Sequence, residues 1–164
     1  MIKTKADPVV SLDHYEIQIL SALQEDGRLT NQQLAEQVGL SPSACWRRVK
    51  ALEDEGVIMR YSAIIDPKKI GVGECVFAHV TLLRHSKTAT QEFVELVYDL
   101  PEVMECFTTS GDADILLRVV TPSVSAYNDF LENVIFQAKG VSQVRSNFAL
   151  KQVKFQTALP IPAE

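Results

Sequence analysis

The run Gly39-Leu40-Ser41-Pro42 constrains this chain more than any other. Glycine closes a helix in left-handed backbone, serine opens one as N-cap, and proline is pre-set for the first helical position. One residue separates the stop from the start, so the two flanking helices must cross sharply, as in a helix-turn-helix. The preceding helix is short: Thr30 or Asn31 caps it, and Leu34, Ala35 and Val38 form its inner stripe, with small Ala35 suiting a close crossing. Upstream, Leu12–Asp26 reads as a further helix. Asp13 and Glu16 make a capping box, and Ile17, Leu20 and Leu23 recur at helical spacing with Ile19 widening the face. Gly27 is expected as its C′ residue.

The helix opened by Ser41 and Pro42 runs to about Asp54 and stops near Gly56. At 100° per residue, Cys45, Val49 and Leu52 share one face, while Ser43, Trp46, Arg47 and Lys50 share the opposite one with Arg48 on a flank. Such a helix can enter a major groove N-terminus first. Arg47 then reaches guanine edges, and Lys50, Arg48 and the hydroxyls of Ser41 or Ser43 position on phosphates. Trp46 either touches DNA from an exposed shoulder or packs half-buried.

The net charge of −5 at first opposes this reading. Residues 1–72 carry nine Lys+Arg against ten Asp+Glu, and residues 73–164 carry seven against eleven, so the acidity lies mainly in the second half. Phosphate is bound by a local patch, and 41–50 contains Arg47, Arg48 and Lys50 with no acid. Cys45, Cys75 and Cys106 form no C-x-x-C pair, which suits a reducing cytoplasm better than a disulfide framework. His14, His79 and His85 are scattered, so neither a metal nor a cofactor site is expected. Neither a signal peptide nor a membrane-spanning run is legible.

After Gly56, VIMRYSAIID reads as one or two short strands, and 61–73 as a strand and hinge linker. The second half then gives the order β-α-β-β-α-β. The strand 74–83 is followed by a helix over Thr88–Leu100, with Phe93, Val94, Leu96 and Val97 inward. Two strands, Val103–Thr109 and Ala113–Thr121, flank a turn at Ser110-Gly111-Asp112. Ser123 caps a helix carrying Tyr127, Phe130, Leu131, Val134 and Ile135, and a long strand over Ser142–Gln156 ends the fold. In the first strand Val76, Ala78, Val80 and Leu82 face one side, and Cys75, Phe77, His79 and Thr81 the other. Right-handed crossovers place both helices on one face of a four-stranded antiparallel sheet. The other face, with Phe77, Leu116, Val119 and Phe148 as candidates, is apolar enough to require a partner sheet, so a homodimer is expected. His79 is read as a packed or interface residue. The turn 110–114 is either a plain hairpin turn or a ligand site: Gly111 admits close approach, neighbouring amides suit a carboxylate, and Asp112 or Asp114 suits an ammonium.

The run 12–58 and the stretches PEVMECFTTSGDADILLRV and GVSQVRSNFALKQVK resemble the Lrp/AsnC (leucine-responsive, feast/famine) transcriptional regulators over about residues 12–157. The resemblance implies an α+β chain: a winged helix-turn-helix over 12–60, then a ferredoxin-like effector-binding and oligomerisation domain over 74–157, with tails at 1–11 and 158–164. It implies double-stranded DNA as partner, an amino-acid effector, and dimers that assemble further, to an octamer or larger disc. The effector is implied between dimers, at Gly111, Asp112 and Asp114 with Thr108 and Ser110 leading in, and Ser146 and Phe148 of a neighbouring dimer as a wall. Trp46 and the closing run FALKQVKFQTALPI resemble a branch tied to sulfur-containing or branched-chain amino acids. Ala44 stands where many members have proline, and Ile115 where an aromatic is common. An enzyme of the haem-decarboxylase type on the same fold, and a metabolite sensor that no longer binds DNA, are the competing readings.

Overall fold

A computed structural model describes residues 9–83 and 87–162. Residues 1–8 of the expected first tail, and His85, lie outside the described residues. Contacts group the chain into two compact units, one of residues up to Ile64 together with the segment from Lys154, the other Ile65–Val153.

The first unit holds α1 (His14–Glu25), α2 (Asn31–Val38) and α3 (Pro42–Asp54). Each begins at the expected signal. Asp13 and Glu16 form a complete capping box, Thr30 rather than Asn31 caps α2 with Gln33, and the Ser41 side chain accepts from the Ala44 N–H. These bonds satisfy backbone donors that a helix start leaves unpaired. Gly39 ends α2 at φ 71°, a left-handed backbone that glycine adopts without a Cβ clash. Gly27 does not play that part: α1 closes at extended Asp26, and Gly27 has no positive φ. Ile19, Ala22, Leu34, Ala35, Val38, Cys45 and Leu52 form the buried centre, with Val49, Val57 and Ile58 packed against it. Ile19 is thus the middle of the α1 face, not its margin. Beyond Ile58 the expected strands of VIMRYSAIID do not form, because no neighbouring strand is present to take their hydrogen bonds.

The second unit opens with a 3-10 turn at Pro67–Ile70. It contains β1 (Glu74–Leu82), α4 (Lys87–Tyr98), β2 (Val103–Thr108), β3 (Ile115–Thr121), α5 (Val124–Phe130) and β4 (Val141–Phe148). A π-helical turn, Leu131–Ile135, prolongs α5. The sheet order is β2-β3-β1-β4, every pair antiparallel. Val76, Ala78, Val80, Leu82, Ile115, Leu117 and Val119 lie buried with Phe93, Val97, Tyr127, Phe130 and Ile135.

Three expectations need correction. Leu96 points outward on α4, 43% exposed. The last strand stops at Phe148: the Ala149 N–H still donates to the Cys75 carbonyl at 2.9 Å, and 150–162 adds no further strand. Val119 and Phe148 belong to the helix side: Val119 is fully buried, and the Phe148 ring meets Tyr127 of α5 edge-on at 5.5 Å. The open face therefore carries Phe77, Leu116 and Phe107 among polar groups, including an Arg118–Glu105 ion pair at 3.0 Å and the cross-strand neighbours His79 and Arg145.

Candidate DNA-reading face and effector turn

Residues Ser41, Pro42, Ser43, Trp46, Arg47 and Lys50 all stand exposed on α3, and Arg48 is half-buried on its flank. The start of the helix is fixed from α2, where the Asn31 side-chain amide donates to the Pro42 carbonyl at 2.8 Å. The Ser41 hydroxyl is occupied as the cap and lies 3.3 Å from the Ser43 hydroxyl. Trp46 is 57% exposed. Its buried edge lines a groove of about 240 Å³ shared with Leu23, Leu29, Leu34, Val49 and Tyr61. Behind the face, burial pushes the Cys45 thiol up, so it stays protonated and serves as a small apolar side chain.

The three cations differ sharply. Arg48 is bound to α1: its guanidinium donates to Asp13, approaches Glu16 at 3.5 Å, and lies 5.3 Å from the Tyr15 ring centroid. Asp13 uses one oxygen for the Glu16 N–H and the other for Arg48. Together these bonds, the backbone one foremost, hold the Asp13 carboxyl below its usual range. Lys50 pairs with Asp54 at 2.8 Å and with Glu53 at 3.9 Å on the exposed surface of its own helix. Asp54 in particular raises the Lys50 pKa, and such exposed pairs exchange readily for a stronger anion. Arg47 has no ion pair among the described residues, so its fork is uncommitted. A helical wheel places Arg47 and Lys50 outward and Arg48 on a flank; the tie of Arg48 to α1 is tertiary and leaves no local signal beyond the capping box itself.

In the second unit the turn after β2 presents Thr108, Ser110, Gly111 and Asp112 to solvent. Gly111 is not in the left-handed region, and a Cβ there would meet nothing within 4 Å. Its lack of a side chain keeps the approach to the turn open rather than relieving strain. Asp114 is anchored: its carboxylate accepts the Leu82 N–H at 2.8 Å, and its own N–H donates to the Val80 carbonyl at 3.0 Å. Thr109, which the sequence reading passed over, closes the turn by donating its hydroxyl to the Ala113 carbonyl at 2.6 Å. Thr81 adds a longer bond, 3.4 Å, to the Asp112 carbonyl.

Ser146 and Phe148 lie elsewhere in the chain. They pair with Ala78 and Val76, whereas the turn meets β1 at Val80 and Leu82, roughly 13 Å further along from Val76 to Val80 and about 20 Å from Val76 to Leu82. The Ser146 hydroxyl is 2.6 Å from the Tyr127 hydroxyl on the helix side. One protomer thus brings Thr108, Ser110, Gly111, Asp112 and Asp114 together and leaves Ser146 and Phe148 apart from them.

Comparison with known proteins gives two family matches, "Winged helix-turn-helix DNA-binding" over residues 12–59 and "Lrp/AsnC ligand binding domain" over 75–159. The chain is 37% identical over 150 residues to the DNA-binding transcriptional activator DecR of Escherichia coli, covering 92% of this chain and 99% of that one. It is 36% identical over 161 residues to the leucine-responsive regulatory protein of the same species, covering 98% of each. Among solved structures, the transcriptional regulator NMB0573 of Neisseria meningitidis, in complex with L-Met, superposes with a TM-score of 0.86 at 40% identity. That match covers 92% of this chain and 97% of the other. These relatives are regulators, and the decarboxylase reading does not account for them.

Proposed function

Because the chain belongs to the Lrp/AsnC family of DNA-binding transcriptional regulators, we propose that an amino acid bound at the 108–114 turn sets its grip on duplex DNA. The observation that carries the reading is the exposed Arg47 guanidinium, which has no ion pair among the described residues. It stands on the exposed face of α3, and the turn offers open space at Gly111 beside the exposed Asp112. Arg47 reads base edges, Lys50 releases its surface carboxylates for phosphate, and Ser43 and Trp46 flank the contact. Two such heads in a dimer address successive major grooves, which calls for half-sites about one helical turn apart.

The open sheet face supports the dimer: Phe77 and Phe107 are apolar and exposed beside half-buried Leu116, and the Arg118–Glu105 pair is satisfied within the sheet. Dimers assembling to an octamer would bring Ser146 and Phe148 of a neighbour toward the turn. A sulfur-containing amino acid is the first candidate effector, given the L-Met held by the Neisseria relative, and a branched-chain one the second. Phosphate neutralisation makes DNA affinity fall steeply with salt.

A thermal-shift screen of the twenty amino acids tests the effector. A ligand at about 100 times its Kd adds about 2.7 kcal/mol to the folded state. Asp114→Asn keeps an acceptor for the Leu82 N–H but loses the charge, so its response should vanish while the fold survives. A full response in that variant would move the effector elsewhere. A gel shift at moderate salt separates this reading from a sensor that has lost DNA binding.

A further inference from the structure

The segment after β4 is matched in sequence to the ligand-binding domain as far as residue 159, yet its contacts from Lys154 onward belong to the DNA-binding unit. The attachment is specific. The Gln24 side-chain amide, near the end of α1, grips the backbone of Leu159 from both sides: Gln24 Nε2 donates to the Leu159 carbonyl at 3.1 Å, and the Leu159 N–H donates to Gln24 Oε1 at 2.6 Å. One side chain thereby does what a neighbouring β-strand residue would do. Ala158 and Ile161, on either side, are turned partly inward, while Leu159 keeps its own side chain in water.

We propose that residues 154–162 are a strap, a second chain connection that fastens the DNA-binding head to the end of the last sheet strand. The first connection is the linker at Ile64 and Ile65. A head on one linker reorients with the freedom of that linker. A head held at two points is restricted, because closing the second connection removes most of the conformations open to the first. The strap starts six residues after Phe148, the end of β4. Within the head, α1 is tied to α3 through Arg48 and Asp13.

The test needs neither DNA nor an amino acid, so its outcome is separate from that of the function proposed above. In the full-length protein the Leu159 amide should be protected from hydrogen exchange. In Gln24→Ala that protection should fall roughly five- to tenfold, the worth of one hydrogen bond, while the amides of Ile19 and Leu52 keep theirs. Trypsin, which cuts after Arg60, Lys68 and Lys69 in the other connection, should then act several times faster. It should do so again in Leu159→Pro, which lacks the donated N–H, and in a chain stopped after Val153. If the Leu159 amide exchanges freely in the wild type, or if tryptic cleavage is equally fast in all four proteins, the strap does not exist. If the core amides of the head lose protection with it, Gln24 only stabilises the head, and the strap reading is overturned.

Discussion

Replacing Arg47 and Arg48, neighbours in sequence, should produce opposite phenotypes. Arg47 is exposed and makes no ion pair among the described residues, so Arg47→Ala should leave stability within about 0.5 kcal/mol of wild type. Loss of a bidentate base contact costs about 1–3 kcal/mol of DNA affinity, about 5- to 160-fold, and relaxes the preference at one base pair. Arg48 is the reverse case. Its side chain is 31% exposed and that of Asp13 49%, so the ion pair is partly screened and contributes about 0.5–1 kcal/mol. The guanidinium over Tyr15 adds a similar amount, giving about 1–2 kcal/mol in all. For a head of this size that lowers the melting temperature by roughly 4–8 °C per kcal/mol. Calorimetry gives the first quantity, and fluorescence anisotropy with labelled duplexes at several salt concentrations gives the second. The assignment is refuted if Arg47→Ala binds with unchanged affinity and preference. It is equally refuted if Arg48→Ala melts normally while its salt slope drops by about one, because Arg48 would then be holding a phosphate.

Asp13 supplies a pH dependence. Its folded carboxyl lies below the usual value near 3.8, so the stability it contributes is complete above that value and is lost as pH falls through the folded pKa. The melting temperature of the head should therefore drop more steeply below about pH 4 in wild type than in Asp13→Asn. Gly39→Ala forces a side chain into left-handed backbone and should cost about 1–2 kcal/mol, seen as a lower denaturation midpoint with an unchanged slope. Phe77→Glu buries a charge in any sheet-to-sheet contact, and sedimentation should show the assembly shifted to monomer. A dimer of unchanged mass would place that interface on another surface.

What was legible in the sequence was local. Asp13 with Glu16, Thr30 or Asn31, Ser41 with Pro42, and Ser123 each announce a helix start through bonds made within three residues; all four starts appear, the second with Thr30 as the cap. The alternation of Val76, Ala78, Val80 and Leu82 likewise fixed the buried side of β1. Partner-dependent features were not legible. Strand propensity in VIMRYSAIID and 150–156 is real, but a strand needs a neighbour, and one chain provides none there. The side taken by Val119 depends on sheet register, which a short apolar run leaves ambiguous. At the candidate site, the turn was readable as Gly-Asp chemistry, whereas the hold of Asp114 on Leu82 spans 32 positions and the tie of Arg48 to Asp13 spans 35.

The two oxygens of Asp13 have separate employments, one at the start of α1 and one on α3. Asparagine or serine at this position would keep the cap and lose the ion pair; glutamate would keep the charge and cap poorly. Position 13 is therefore under two selections at once, and its tolerance must depend on what stands at position 48. In a library varying both sites, the fitness cost of leaving aspartate should shrink once Arg48 is gone. That epistasis between a helix start and a reading head is written into one carboxylate.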